Sequence, residues 1–194
     1  LDDLGIDYKI GVDEAAFYGP KLDIQIKNVF GKEDTIVTIQ IDMLLAEKFG
    51  MYYIDENNDK VLPYIIHRTS MGCYERTLAL LIEKYAGALP TWMAPEQVRF
   101  LPVTERAVDY CKALANNLEM EGYRVTVDAR NEKIGKKIRE GQMEKIPYML
   151  VVGDRDMENG TVSPRHRAEG DLGAMDFADF AKILKEVVDS KAKK

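Results

Sequence analysis

His67, Glu75 and Arg76 share one short stretch, Ile65-Ile66-His67-Arg68-Thr69-Ser70-Met71-Gly72-Cys73-Tyr74-Glu75-Arg76. An apolar run ends in a histidine, a turn is expected at Gly72, and Glu75-Arg76 leads into an apolar helix over 78–82. The pattern predicts a strand that holds an imidazole, a potential metal ligand, and a helix start that aims a guanidinium into the same space. Guanidinium suits phosphate because its planar fork donates in parallel pairs and keeps its charge. On residue type alone, His67 reads first as a hydrogen-bonded structural residue and Arg76 as half of a surface ion pair. Glu75 either orients Arg76 or complements the positive end of the helix.

Two further stretches carry candidate contacts. In Phe17-Tyr18-Gly19-Pro20-Lys21, Gly19-Pro20 makes a sharp bend, Tyr18 can offer a hydroxyl, and Lys21 can meet a phosphate. The plain alternatives are a packed loop aromatic and a solvated lysine. In Thr38-Ile39-Gln40-Ile41-Asp42, alternation sets Gln40 on the face opposite Ile39 and Ile41. Gln40 is either a substrate-facing amide or an exposed one.

These residues need elements to position them. Residues 21–28 alternate Leu22, Ile24 and Ile26 with Asp23, Gln25 and Lys27, which predicts a half-buried strand. Residues 35–43 alternate as well, and Gly31-Lys32-Glu33-Asp34 between them is turn chemistry, so an antiparallel pair is expected. The acidic run Asp55-Glu56-Asn57-Asn58-Asp59 reads as a solvated loop rather than a metal site. A strand over 63–68 and a helix over 73–85 follow. Pro90 and Pro95 in Leu89-Pro90-Thr91-Trp92-Met93-Ala94-Pro95 mark a domain boundary, dividing the chain into 1–95 and 96–194.

Beyond it, strands and helices alternate: strands over 98–103, 124–129 and 148–152, and helices over 105–120 and around Ile134 and Ile138. Glu158-Asn159-Gly160 predicts a tight hairpin turn. Asp176 is placed to cap a last helix with Phe177, Phe180, Ala181, Leu184, Val187 and Val188 on one stripe. The fold class expected is α+β for the first part, with an antiparallel sheet. The second part is expected to be α/β, on a mixed and mainly parallel sheet.

Composition sets outer limits. The chain has 194 residues, 46% of them hydrophobic, and a net charge of -6, as an ordinary globular protein would. No apolar run is long enough to span a bilayer as a helix. Cys73 and Cys111 share no metal-type spacing, so a reducing cytoplasm is the expectation. Residues 1–95 carry 9 Lys or Arg against 15 Asp or Glu, whereas 96–194 carry 18 of each. Arg130, Lys133, Lys136, Lys137, Arg139 and Lys145 concentrate in one stretch of the second part, the kind of footprint a nucleic acid would use.

Together, the three stretches of the first part resemble the last part of a class II aminoacyl-tRNA synthetase core, and within that class the threonine-specific family. The resemblance implies that Arg76 is the arginine of the third class II motif and pairs with ATP phosphate. Gln40, Tyr18 and Lys21 are implied to face the active site, with Gln40 also beside ATP. His67 is implied to be one of three protein ligands to a zinc ion that holds the substrate amino group and hydroxyl. Asp128-Ala129-Arg130-Asn131-Glu132-Lys133-Ile134-Gly135-Lys136-Lys137-Ile138-Arg139-Glu140 resembles the anticodon-binding domain shared by several members of the class. There Asn131 is implied to read a base edge, with Asp156 and Arg165 as further anticodon contacts. Asn131 also reads as a helix N-cap.

The implied parent is a homodimeric ligase with zinc, and magnesium with ATP. It activates threonine and transfers it to tRNA(Thr). The chain begins at Leu1 within the pattern and lacks the first two class motifs, so it is expected to be a fragment that does not aminoacylate alone. Thr35, Cys73 and Thr77 depart from the more familiar bacterial pattern and bear on the shape of the adenylate pocket. Cys73 is a candidate reactive thiol only if exposed. The expectation from another class is a non-catalytic RNA-binding paralogue or regulator.

Overall fold

The structure, a computed structural model, describes residues 1–193 and divides into two compact units, Leu1–Lys84 and Tyr85–Lys194. The first unit holds β1 (Lys21–Lys27), β2 (Glu33–Asp42), the short helix α1 (Leu45–Lys48), β3 (Tyr53–Ile54), β4 (Lys60–Val61), β5 (Ile65–Arg68) and α2 (Tyr74–Lys84). Strands β1, β2 and β5 form an antiparallel sheet in that order, with β2 in the middle. The register sets Gln40 opposite His67 and Lys21 opposite Gln40. The hairpin β3–β4 closes over an Asp55 turn, whose Oδ1 accepts from the Asn57 and Asp59 amides.

The alternation expected to half-bury β1 does not do so within the described residues. Leu22 and Ile24 remain 39% and 50% exposed. Ala46 is the single buried hydrophobic side chain of the described first unit. On β2 the usual sense is reversed: Gln40 and Asp42 are buried and Ile41 is exposed. A strand whose covered face is polar is built to hold something by hydrogen bonds, not to fill a core.

The second unit holds β6 (Val98–Pro102), α3 (Ala107–Met120), β7 (Val125–Val127), α4 (Ile134–Met143), β8 (Tyr148–Val152), α5 (Asp154–Asn159), β9 (Thr161–His166), β10 (Gly170–Asp171), β11 (Met175–Asp176) and α6 (Phe177–Asp189). The sheet is mixed. β7, β6 and β8 run parallel, and β9 turns antiparallel against β8, with β10 and β11 pairing β9. Its core is continuous: Val98, Phe100, Cys111, Leu118, Leu150, Phe180 and Leu184 are all fully buried. On the other face Leu101, Ile146 and Met149 pack with Ile134 and Ile138 of α4.

The Glu158-Asn159-Gly160 hairpin is corrected to a one-turn-and-a-half helix, α5, ended by Gly160 in the left-handed conformation at φ 70°. The same Asn-Gly signal serves both structures. The capping box decides, because the Asp156 carboxylate accepts from the Gly153 amide at 2.9 Å and starts a helix three residues early. Asp176 stands at the N-cap of α6 but makes no side-chain capping bond.

The proline-marked segment is held by second-unit residues. The Arg124 guanidinium donates to Ala94 O at 2.8 Å and Trp92 O at 2.9 Å, and Arg167 donates to Ala88 O at 3.0 Å. Gln97, 1% exposed, donates to Thr91 O and accepts from the Arg124 amide, each at 3.0 Å.

Candidate functional site

Tyr18, Gln40, His67 and Asp42 meet on the β2–β5 strand pair. The Tyr18 turn is fastened to β2 by its backbone: Met43 N donates to Tyr18 O at 2.9 Å and Ile41 N to Pro20 O at 3.0 Å. Gly19 makes the close approach possible, at φ 154° with its α-carbon pressed against Ile41 O, where a side chain has no room. The Tyr18 hydroxyl donates to Gln40 Oε1 at 3.0 Å. Gln40 then keeps its two amide N–H donors for another group. The Tyr18 ring also lies edge-on to His67, centroids 6.1 Å apart.

His67 Nε2 meets Asp42 Oδ2 at 3.0 Å. The carboxylate accepts, so Nε2 donates, and Nδ1 is left for another partner. Asp42 has no exposed side-chain surface, and its Oδ1 accepts from the Leu44 and Leu45 amides at 2.9 Å. Burial pushes this carboxyl up, yet the Leu45 and Leu44 amides and His67 outweigh it and hold it below the usual range. The imidazole, 46% exposed, is thus fixed in orientation by a rigid acid behind it. Asp42 was not singled out from the sequence as a site residue. Its signal is there in the polar pair Gln40 and Asp42, two residues apart on one strand face.

Arg76 does not share that space. Its guanidinium donates to Thr35 O at 3.2 Å, five residues from Gln40 along β2, about 17 Å of strand. There it lines an open cavity of about 260 Å³ with Asn28, Phe30, Asp34 and Glu83. Gly72, at φ 64°, lets the chain turn against Ile36 O on the way to α2. Glu75 accepts from Cys73 Sγ at 2.9 Å, which holds its carboxyl below the usual range. Cys73 is exposed. Lys21 pairs with Asp23 at 2.7 Å, a contact that raises the lysine's pKa.

In the second unit, Asn131 is exposed and its side-chain amide has no partner among the described residues. It does not cap α4, whose N-cap position is Lys133. Its neighbour Arg130 is clamped, to Asp128 at 2.6 Å and to Glu140 at 2.7 Å. Both carboxylates raise the guanidinium's pKa, and Arg130 in turn holds Asp128 below the usual range. Lys136 pairs with Glu132 at 2.6 Å, Lys137 is buried, and Lys145 donates to Ala86 O. Of the basic stretch, Lys133 and Arg139 remain exposed with no acidic partner among the described residues.

Asp156 and Arg165 are both engaged internally. Asp156 accepts from Gly153 N, from Thr161 Oγ1 at 3.1 Å and from Ser163 Oγ at 3.3 Å. Arg165 pairs with Asp171 at 3.0 Å across β9 and β10, and its buried Nε has no partner among the described residues.

Two family models match the chain between them: "tRNA synthetase class II core domain (G, H, P, S and T)" over residues 1–85 and "Anticodon binding domain" over 97–187. A threonine–tRNA ligase of Clostridium perfringens is 60% identical over 188 residues, covering 96% of this chain and 29% of its own length. One from Acetivibrio thermocellus is 47% identical over 191 residues, covering 98% and 30%. The chain belongs to the threonyl-tRNA synthetase family. It also matches the solved RNA-binding domain of the Cryptosporidium parvum threonyl-tRNA synthetase. That match has a TM-score of 0.84 and 32% identity, over 96% of this chain and 47% of the other. This threonyl-tRNA synthetase stretch spans under a third of the length of its curated relatives. The described residues contain no helix long and apolar enough to cross a membrane.

Proposed function

We propose that this chain supplies the closing strands of the adenylate-forming core and the anticodon reader of a cytoplasmic, homodimeric threonine–tRNA ligase. The observation that carries the reading is that one strand, β2, serves two stations. Tyr18, Gln40 and His67 gather at one end, and Arg76 stands at the other, about 17 Å of strand away. Threonine and the outer phosphates of an extended ATP lie at separate points, and catalysis by positioning needs a contact at each. In this reading Gln40 presents amide donors toward threonine, Tyr18 fixes Gln40, and Arg76 neutralises phosphate charge on magnesium-bound ATP. Lys21 is the terminal-ribose or phosphate contact once it leaves Asp23. Asn131, with Asp156 and Arg165 framing the adjoining strands, reads tRNA(Thr).

For zinc, His67 has the features of a ligand imidazole, with one nitrogen held by a buried carboxylate and the other available. The described residues hold no group of three His, Cys, Asp or Glu that could bind a metal, so His67 would be a single ligand completed from elsewhere in the whole protein. Bound there, zinc would take the amino group and hydroxyl of threonine.

The test is a chimera in which this chain replaces the matching stretch of the Clostridium perfringens ligase. Threonine-dependent pyrophosphate exchange and tRNA charging are expected, with both lost in Arg76→Ala and His67→Ala. A folded chimera that binds ATP and threonine but shows no exchange would overturn the reading. The isolated chain is expected to show no exchange.

A further inference from the structure

Lys137 sits on α4 at 3% exposure, and its ammonium makes no bond to a carboxylate among the described residues. It donates instead to two backbone carbonyls, Asp128 O at 2.8 Å and Pro102 O at 3.1 Å. These lie at the C-terminal ends of two neighbouring parallel strands, β7 and β6. A buried cation without an acid is a costly way to fill space, and a methionine would occupy the same volume with no charge to desolvate. What only the ammonium can do here is tie two strand-end carbonyls together. Asp128 is also the residue from which the Asn131 loop departs.

That loop is braced from its other side as well. The Arg130 guanidinium bonds both oxygens of Asp128, at 2.8 and 2.6 Å, and Glu140 of α4 at 2.7 Å. The Arg130 amide donates to Asp128 Oδ1 at 3.2 Å, and the Glu132 amide to Arg130 O at 2.9 Å. Among the described residues, every polar side chain from 128 to 132 except Asn131 is therefore engaged, within the loop or by α4.

We propose that Lys137 and Arg130 are positioning residues for base recognition: they hold the 128–132 loop rigid so that the free Asn131 amide meets a base edge in one fixed orientation. This rests on the anticodon-reading function proposed above. Arg130, though basic and exposed, then contributes order rather than phosphate affinity, because its charge is already matched by two acids. Generic phosphate attraction falls to Lys133 and Arg139.

The two roles separate in one experiment on the 194-residue chain. Affinity is measured for the tRNA(Thr) anticodon stem-loop and for the same hairpin with its last two anticodon bases exchanged, across a salt series. The wild-type chain is expected to prefer the first. Lys137→Met and Arg130→Gln are expected to lower that preference by about tenfold, the worth of one well-aligned amide–base contact, with the salt slope unchanged. Lys133→Ala is expected to weaken both hairpins alike and to reduce the slope by about one. A purely structural Lys137 would lower the thermal midpoint and leave the preference of the folded protein intact, and that result overturns the proposal. Should Lys137→Met fail to fold, Arg130→Gln decides, since its side chain is exposed; an unchanged preference there refutes the bracing. A wild-type chain with no preference removes the anticodon reading itself, and this inference with it.

Discussion

Replacing Gln97 by methionine tests how firmly the proline-marked segment belongs to the second unit. The side chain is 1% exposed and makes two bonds, donating to Thr91 O and accepting from the Arg124 amide, both at 3.0 Å. Methionine keeps the volume and loses both. Thr91 O retains a longer bond from Ala94 N at 3.3 Å, so its loss falls at the lower end, about 0.5–1.5 kcal/mol. The Arg124 amide has no other partner among the described residues, but Arg124 is exposed and the bond only part-buried, so water can replace it and its loss also costs about 0.5–1.5 kcal/mol. The sum is about 1–3 kcal/mol, a sizeable share of the roughly 5–15 kcal/mol by which domains are stable. Trp92 is the sole tryptophan and lies in this segment, so its fluorescence reports the unfolding directly. With a urea dependence of about 2 kcal/mol per molar, the midpoint falls by about 0.5–1.5 M, together with the far-ultraviolet circular dichroism. A fluorescence midpoint that shifts alone, or one that moves by less than about 0.5 M, refutes the reasoning.

The two strained glycines should separate the two stations of β2 in the chimeric ligase. Gly19→Ala, pressed on Ile41 O beside Tyr18, is expected to raise the KM for threonine, and Gly72→Ala, whose Cβ meets Ile36 O at 2.5 Å, the KM for ATP. Each effect is about ten- to hundredfold, as for misplacement by an ångström, and equal effects on both substrates contradict the assignment. Asp128 gives a pH test. Arg130 holds its carboxyl below the usual range, so its stabilisation is complete above the unfolded value of about 3.9 and is lost as pH falls through the lower native one. Urea midpoints of wild type and Asp128→Asn should therefore differ near neutrality and converge only in acid; convergence on the alkaline side contradicts the sign.

What the sequence made legible followed from periodicity and what it hid followed from pairing. The stripe of Phe177, Phe180, Leu184 and Val188 marks α6, and the alternation from Val37 to Asp42 marks β2, because each pattern repeats over enough residues to have one geometric solution. The Asn159-Gly160 signal has two solutions, and only the bond from Gly153 N to Asp156 selects the helix. The basic stretch looks uniform when charges are counted. Which cations are free depends on Asp128, Glu132 and Glu140, and that depends on how the loop folds. For Arg76 the motif fixed the helix start, but the bond to Thr35 O places it at the far end of β2 from His67. The uncovered Leu22 and Ile24 teach a related point: alternation predicts which face is apolar, not whether this chain covers it.

The most direct test of the central claim is the affinity of the chain for the tRNA(Thr) anticodon stem-loop, with and without the Asn131→Ala substitution. Among the described residues, Asn131 is the one polar side chain from 128 to 132 left unpaired, so the wild type is expected to prefer the native anticodon over one with its last two bases exchanged, and Asn131→Ala to abolish the preference. Equal binding of both hairpins by the wild type, or a preference that survives Asn131→Ala, would contradict it.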